Sequence, residues 1–186
     1  MKSPLFIVIL AALLPSACTP APDPTQPLPP AQLEAAKRAK EHFEHGNYRE
    51  AEKIYESILV ATPNNLHTLS NLGVVRFRSG RFKPAEEALR QAITVAPNDA
   101  FSHCTLGIVY YSQNRLDDAI KVLKRASEIN PRNATAHNYL GIAYSQKGMQ
   151  EGAAIELEKA RELDPSYREL DSLPKETPAR FRTNDA

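Results

Sequence analysis

Tryptophan is absent from this chain of 186 residues, and cysteine occurs only at Cys18 and Cys104. Charge of one sign is lacking too. The 23 lysines and arginines face 22 aspartates and glutamates, for a formal net charge of +1. Such a balance gives no electrostatic reason to expect nucleic acid or an acidic membrane surface as a target. Long apolar runs are also missing. Residues 5–14 (LFIVILAALL) form an unbroken apolar run of ten, too short to span a bilayer comfortably. No glycine-rich phosphate loop, nucleophile elbow or catalytic dyad at a recognised spacing occurs, which argues against an enzyme and against a cofactor.

The apolar run has the length of a secretory h-region and follows one cation, Lys2. Residues 15–18 (PSAC) come next, and this arrangement resembles a bacterial lipoprotein signal, cleaved before an acylated cysteine. Ser16 and Ala17 fit that pattern; Pro15 departs from it, with the usual leucine displaced to Leu14. The resemblance implies a signal peptide over residues 1–17 and lipidation at Cys18. Thr19 after the cysteine implies the outer membrane, facing the periplasm. Ordinary cleavage near Ala17, giving a soluble periplasmic protein, is the alternative. Cleavage takes away Lys2 and no acid, which leaves the mature chain neutral. Each buried methylene of an acyl anchor contributes about 0.8 kcal/mol, so two chains or more are needed for stable attachment. Residues 19–31 then carry six prolines, which predicts a semi-rigid stalk from residue 18 to residue 31. At about 3.1 Å per residue it would reach roughly 40 Å.

From residue 32 onward the chain repeats. Pro63, Pro97, Pro131 and Pro165 stand 34 residues apart, a period that marks stacked supersecondary units. Leu72-Gly73, Leu106-Gly107 and Leu140-Gly141 recur at one phase. Ala51, Ala85, Ala119 and Ala153 form a second ladder; Tyr55, Leu89, Leu123 and Leu157 form a third. Within the third copy, residues 100–113 place Leu106, Val109 and Tyr110 on one helical face, and residues 116–129 place Leu116, Ala119, Ile120, Leu123 and Ala126 on another. Between these two helices sits Asn114, with Gly46, Gly80 and Gly148 at matching positions, residues that accept the left-handed conformation at a helix end. The prolines are expected to close each second helix and help start the next. Gly107 and Ala119 predict a close approach of paired helices.

These residues resemble the tetratricopeptide repeat (TPR), whose pattern runs Trp-x₂-Leu-Gly-x₂-Tyr, Ala-x₃-Phe, Pro. The third copy supplies His103, Leu106, Gly107, Tyr110, Ala119, Leu123 and Pro131, and the fourth His137, Leu140, Gly141, Tyr144, Ala153, Leu157 and Pro165. The second has Arg76 where the aromatic is expected, with Phe77 beside it. The first departs at Ala35, Arg38, Ala39 and His42. The resemblance implies an all-α, right-handed solenoid of four helix–turn–helix units over residues 32–65, 66–99, 100–133 and 134–167, with a short cap and a disordered tail over 168–186.

It further implies that the first helices of the units line a concave groove for a protein or peptide segment. By repeat phase that groove takes in Phe43, Asn71, Val74, Phe77, Phe101, Ile108, Tyr111, Tyr139 and Ile142. Val74, Ile108 and Ile142 replace the asparagine typical of the family, and the positions of a carboxylate clamp are apolar or neutral. The stripe reads either as a binding surface or as helix packing. The function implied is an interaction scaffold that aids assembly of an envelope complex. Alternatives are a regulatory subunit positioning a cell-wall or secretion enzyme, and a self-associating array stacking through Ala154 and Ile155.

His42 and His45, three apart, read as a surface pair rather than metal ligands, with no third ligand indicated. His103 and His137 share one repeat phase and are expected to fill helix-packing space. Cys104 is expected to be a small buried group if Cys18 is acylated, and a disulfide partner if it is not.

Overall fold

A computed structural model of the protein describes residues 23–167, which form eight α-helices and no strand. The helices are α1 Pro30–Glu44, α2 Tyr48–Ala61, α3 Leu66–Arg78, α4 Phe82–Val95, α5 Ala100–Ser112, α6 Leu116–Ile129, α7 Ala134–Gln146 and α8 Gln150–Leu163. They pair as four hairpins, α1/α2 to α7/α8, each packed on the next. The expected signal segment, Cys18 and the expected cap and tail of residues 168–186 lie outside the described residues.

Each hairpin turns the same way. Gly46, Gly80 and Gly148 have φ of 77–79°, and Asn114 has φ 59°. The amide of the residue after each one donates to a carbonyl five residues back. The four bonds are Asn47 N to His42 O at 2.8 Å, Arg81 N to Arg76 O, Arg115 N to Tyr110 O and Met149 N to Tyr144 O, each of the last three at 2.9 Å. This closure satisfies carbonyls that the helix end leaves free, and it requires a left-handed residue at its centre.

The prolines act differently from the expectation. Pro63, Pro97, Pro131 and Pro165 do close the second helices, but they start none. Each sits second in a four-residue turn. The turns are closed by Asn65 N to Thr62 O (3.1 Å), Asp99 N to Ala96 O (3.1 Å), Asn133 N to Asn130 O (3.0 Å) and Tyr167 N to Asp164 O (3.2 Å). Proline's fixed φ suits that position. The next helix is started by the fourth turn residue, whose side chain caps it. Asn65 Oδ1 accepts from Thr68 N at 3.0 Å, Asp99 Oδ2 from Ser102 N at 2.8 Å, and Asn133 Oδ1 from Ala136 N at 3.0 Å. A cap of this kind contributes about 1 kcal/mol.

The close approach inside a hairpin is steric. A Cβ on Gly73 would lie 2.5 Å from Leu89 Cγ, one on Gly107 2.4 Å from Leu123 Cγ, and one on Gly141 2.7 Å from Leu157 Cγ. The glycine ladder and the leucine ladder of the sequence are thus two sides of one contact. Around it lie the buried Ala85, Leu89, Leu106, Val109, Ala119, Leu123, Ala126, Ala136 and Leu140. The odd-numbered helices also touch one another directly, α3 with α5 and α5 with α7, whereas no two even-numbered helices meet to that extent. The odd helices therefore line the inner side of the array.

The start of the array is also more ordered than a stalk implies. Helix α1 already begins at Pro30, and residues 23–29 fold back on the first proline turn. Leu66 N donates to Pro24 O at 3.0 Å, and Asn65 Nδ2 donates to Gln26 O at 3.2 Å. Pro24, Pro27, Leu28 and Pro29 enclose with Ala61 and Pro63 a hollow of about 280 Å³.

Candidate functional site

The inner face carries the sequence-derived stripe. Val74, Phe77, Ile108, Tyr111, Tyr139 and Ile142 are half-buried, Asn71 is exposed, and Phe101 is 50% exposed. Phe43, Asn71 and Val74 lie together around a small hollow with Lys40, Glu44 and Tyr55. Tyr111 and Tyr139 meet edge to face at 5.6 Å, and the Tyr111 hydroxyl accepts from Gln146 Nε2 at 2.8 Å. Phe77 turns partly towards α4, its ring 6.0 Å from that of Phe82. Phe77, Ile108, Tyr111 and Tyr139 also pack against the core. The stripe is therefore half foundation and half surface.

Charge on this face is confined to its first half. Lys37 pairs with Glu34 at 2.7 Å and Lys40 with Glu44 at 3.6 Å. The Arg78 guanidinium sits 5.9 Å over the Phe43 ring, a cation–π arrangement. Burial pushes the Tyr139 hydroxyl above its ordinary range, helped by Tyr167, Tyr111 and Cys104, while Arg78 acts against them. That arginine therefore acts electrostatically on both the Phe43 and the Tyr139 regions of the inner face. Cys104 lies beneath as a buried, unbridged thiol, pushed up to about 11 by burial despite a hydrogen bond with Asn133. A neutral, buried thiol of this kind is inert.

The outer side holds polar contacts that the sequence did not disclose. Arg76, which replaces the expected aromatic, bonds Glu52 at 2.8 Å and Glu56 at 2.7 Å across the first unit boundary, and Arg81 joins Glu52 from the turn. One repeat on, the Tyr110 hydroxyl donates to Glu86 at 2.9 Å and Arg115 bonds the same carboxylate at 2.8 Å. At the third boundary Ile120, Tyr144 and Met149 occupy these positions, so the acid there gives way to an apolar residue.

His103 and His137 do more than fill space. Their Nε2 atoms donate to the Pro97 carbonyl at 3.0 Å and the Pro131 carbonyl at 3.1 Å, tying each proline turn to the following helix. His137 Nδ1 also meets Glu156 Oε2 at 2.5 Å, and Lys159 bonds Glu156 at 3.0 Å. Burial would raise the Glu156 carboxyl, but the hydrogen bonds from His137 and Lys159 prevail and hold it below the usual range. His45 is the C-cap of α1, its ring bonded to the Glu41 carbonyl at 2.7 Å. Among the described residues no three His, Cys, Asp or Glu side chains are placed to hold a metal ion, and no helix is long and apolar enough to cross a membrane.

Comparison with known proteins agrees with this architecture. A TPR repeat model matches residues 107–148, and the model of anaphase-promoting complex (cyclosome) subunit 3 matches residues 44–126. No curated protein matches the sequence. Among solved structures, MamA is 28% identical over 68% of this chain and 74% of its own, with a TM-score of 0.63. YrrB, described as a TPR protein with an unusual peptide-binding site, is 24% identical over 77% of this chain and 75% of its own, with a TM-score of 0.64. The first TPR of Spaghetti, bound to an HSP90 peptide, is 24% identical over 63% of this chain and 93% of its own, with a TM-score of 0.61. Repeat register and hairpin geometry together make this chain an all-α helical-repeat solenoid, similar in fold to solved TPR proteins.

Proposed function

We propose that the protein is a non-catalytic interaction scaffold of the bacterial cell envelope, which binds a segment of a partner protein along its inner face. The observation that carries this reading is the stripe of Val74, Phe77, Ile108, Tyr111, Tyr139 and Ile142, half-buried on the odd-numbered helices. A partner segment laid on it would cover the remaining apolar surface, at about 25 cal/mol per Å². One protein of similar fold is described as having a peptide-binding site and another as bound to a peptide, which supports a peptide segment as the partner. Export and attachment rest on the N-terminal sequence, with Cys18 as the acylated first residue of the mature chain.

Two experiments test the two halves. Val74→Asn with Ile108→Asn should abolish capture of the proteins that co-purify with the wild type, while helical circular dichroism persists. Capture unchanged in a folded double variant would refute the groove. Mass spectrometry of the mature N-terminus should find an acylated Cys18; a free N-terminus near residue 18 without lipid would refute the anchor.

A further inference from the structure

We infer that the outer-facing hollow above His103 is an anion site that takes a carboxylate from an acidic segment of a protein partner, separate from the inner groove. The hollow, of about 520 Å³, is lined by His103, Lys121, Val122, Lys124, Arg125 and Glu128. Three of its side chains are cations and one is an acid. Arg125 answers Glu128 at 3.3 Å and Asn98 at 2.8 Å, whereas Lys121 and Lys124 have no ion-pair partner among the described residues.

The fourth repeat shows what such a place holds when it is complete. His103 and His137 are equivalent, and both rings are oriented by the same bond from Nε2 to a proline carbonyl. In the fourth repeat Nδ1 then faces Glu156, whose other oxygen is held by Lys159. Thirty-four residues earlier, Lys159 is matched by Arg125, but Glu156 is matched by Val122. The third repeat thus keeps the histidine and the cation and lacks the acid between them. His103 is 9% exposed, and its Nδ1 is a buried side-chain polar atom with no hydrogen-bond partner. A buried polar atom left unpaired is costly, and a carboxylate accepting from Nδ1–H would give it a partner. The open, strongly cationic rim suits an acidic stretch of chain better than a single small anion, because several carboxylates can meet Lys121, Lys124 and Arg125 together.

An acetylated tetraglutamate peptide amide, titrated into the full chain, is the probe. It should bind and shift the His103 ring nitrogen resonances. His103→Gln keeps a donor for Pro97 but deletes Nδ1, and should weaken binding about tenfold, the equivalent of one charge-assisted hydrogen bond. Val122→Glu supplies the missing acid from within the chain and should abolish peptide binding without loss of thermal stability. Ser112→Glu, at the repeat position that matches Arg78 of the inner face, adds the same charge there and should leave affinity unchanged. Equal affinity for wild type, His103→Gln and Val122→Glu, all folded by circular dichroism, would overturn the site in favour of diffuse attraction to lysines. Glutarate binding as tightly as the peptide would overturn the segment as occupant. Loss of the inner groove in the Val74 and Ile108 variants should not alter this binding.

Discussion

Replacing Gly107 by alanine tests whether the hairpins owe their spacing to a missing side chain. In the interior of a helix, alanine should gain about 1 kcal/mol over glycine from propensity alone. Here the added Cβ would meet Leu123 at 2.4 Å from Cγ and 2.7 Å from Cδ2. Leu123 is 0% exposed, so it has no free space into which to withdraw. Clearing the contact demands a shift of roughly 1 Å in a close-packed interior, and overpacking of this kind costs about 1–3 kcal/mol. A contact this short places the steric term above the propensity term, and Gly107→Ala should destabilise the protein by up to about 2 kcal/mol. The decisive arm is the same substitution in a Leu123→Ala background, itself weaker by about 2–5 kcal/mol. With the leucine branch removed, the new methyl enters a cavity, and Gly107→Ala should become stabilising. Urea unfolding of the four proteins, followed by helical circular dichroism, yields the coupling directly, at about 1–3 kcal/mol for residues in contact. Equal effects in the two backgrounds would refute the close-approach argument.

Two further outcomes are expected. Because the Glu156 carboxyl lies below its usual range in the folded protein, the stability it confers is present above its unfolded pKa and is lost as pH falls through the folded value. Glu156→Gln should therefore be less stable than wild type at neutral pH, and unfolding midpoints of the two should converge as pH falls below the ordinary carboxylate range; a constant gap would contradict the His137–Glu156–Lys159 arrangement. Asn133→Ala removes a cap together with the bond to Cys104, and Asn65→Ala removes a cap together with the bond to Gln26; each cap should cost about 1 kcal/mol, but only Asn65→Ala should bring earlier proteolysis near residues 23–29. Unchanged proteolysis in a folded Asn65→Ala variant would mean that the N-terminal segment is not held by Asn65.

Much of the architecture was legible because helical hairpins are written locally. Residues three and four apart share a helix face, so the ladders at Leu106, Gly107, Ala119 and Leu123 announced both helices and the side on which they meet. The positive-φ positions were equally plain, since Gly46, Gly80 and Gly148 are residue types suited to them. The prolines were placed correctly and given a partly wrong task. Their period was visible, but the capping role of Asn65, Asp99 and Asn133 two residues later depends on turn geometry that spacing alone does not reveal.

The inner stripe could be enumerated from repeat phase, yet its division of labour could not. That Phe77 leans on Phe82 within its own hairpin while Tyr111 meets Tyr139 of the next unit depends on how the helices pack in three dimensions. The ion pairs were less legible still. Arg76 stood out only as a departure from the family, and its partners Glu52 and Glu56 lie on the preceding unit, one turn apart on α2. The same holds for His103 and Val122. In sequence one is a family variant and the other an ordinary apolar residue; only beside His137 and Glu156 do they become an incomplete version of a finished contact.

The sequence by itself thus determined the period, the helices, the hairpin turns and the residues that share each face. All of these follow from backbone sterics and side-chain periodicity over a few residues. The tertiary structure decided which polar groups find partners, which remain unpaired, and that residues 24–29 belong to the folded unit. Those outcomes depend on angstrom-scale distances between elements far apart in the chain, where a hydrogen bond exists at 2.8 Å and not at 5 Å.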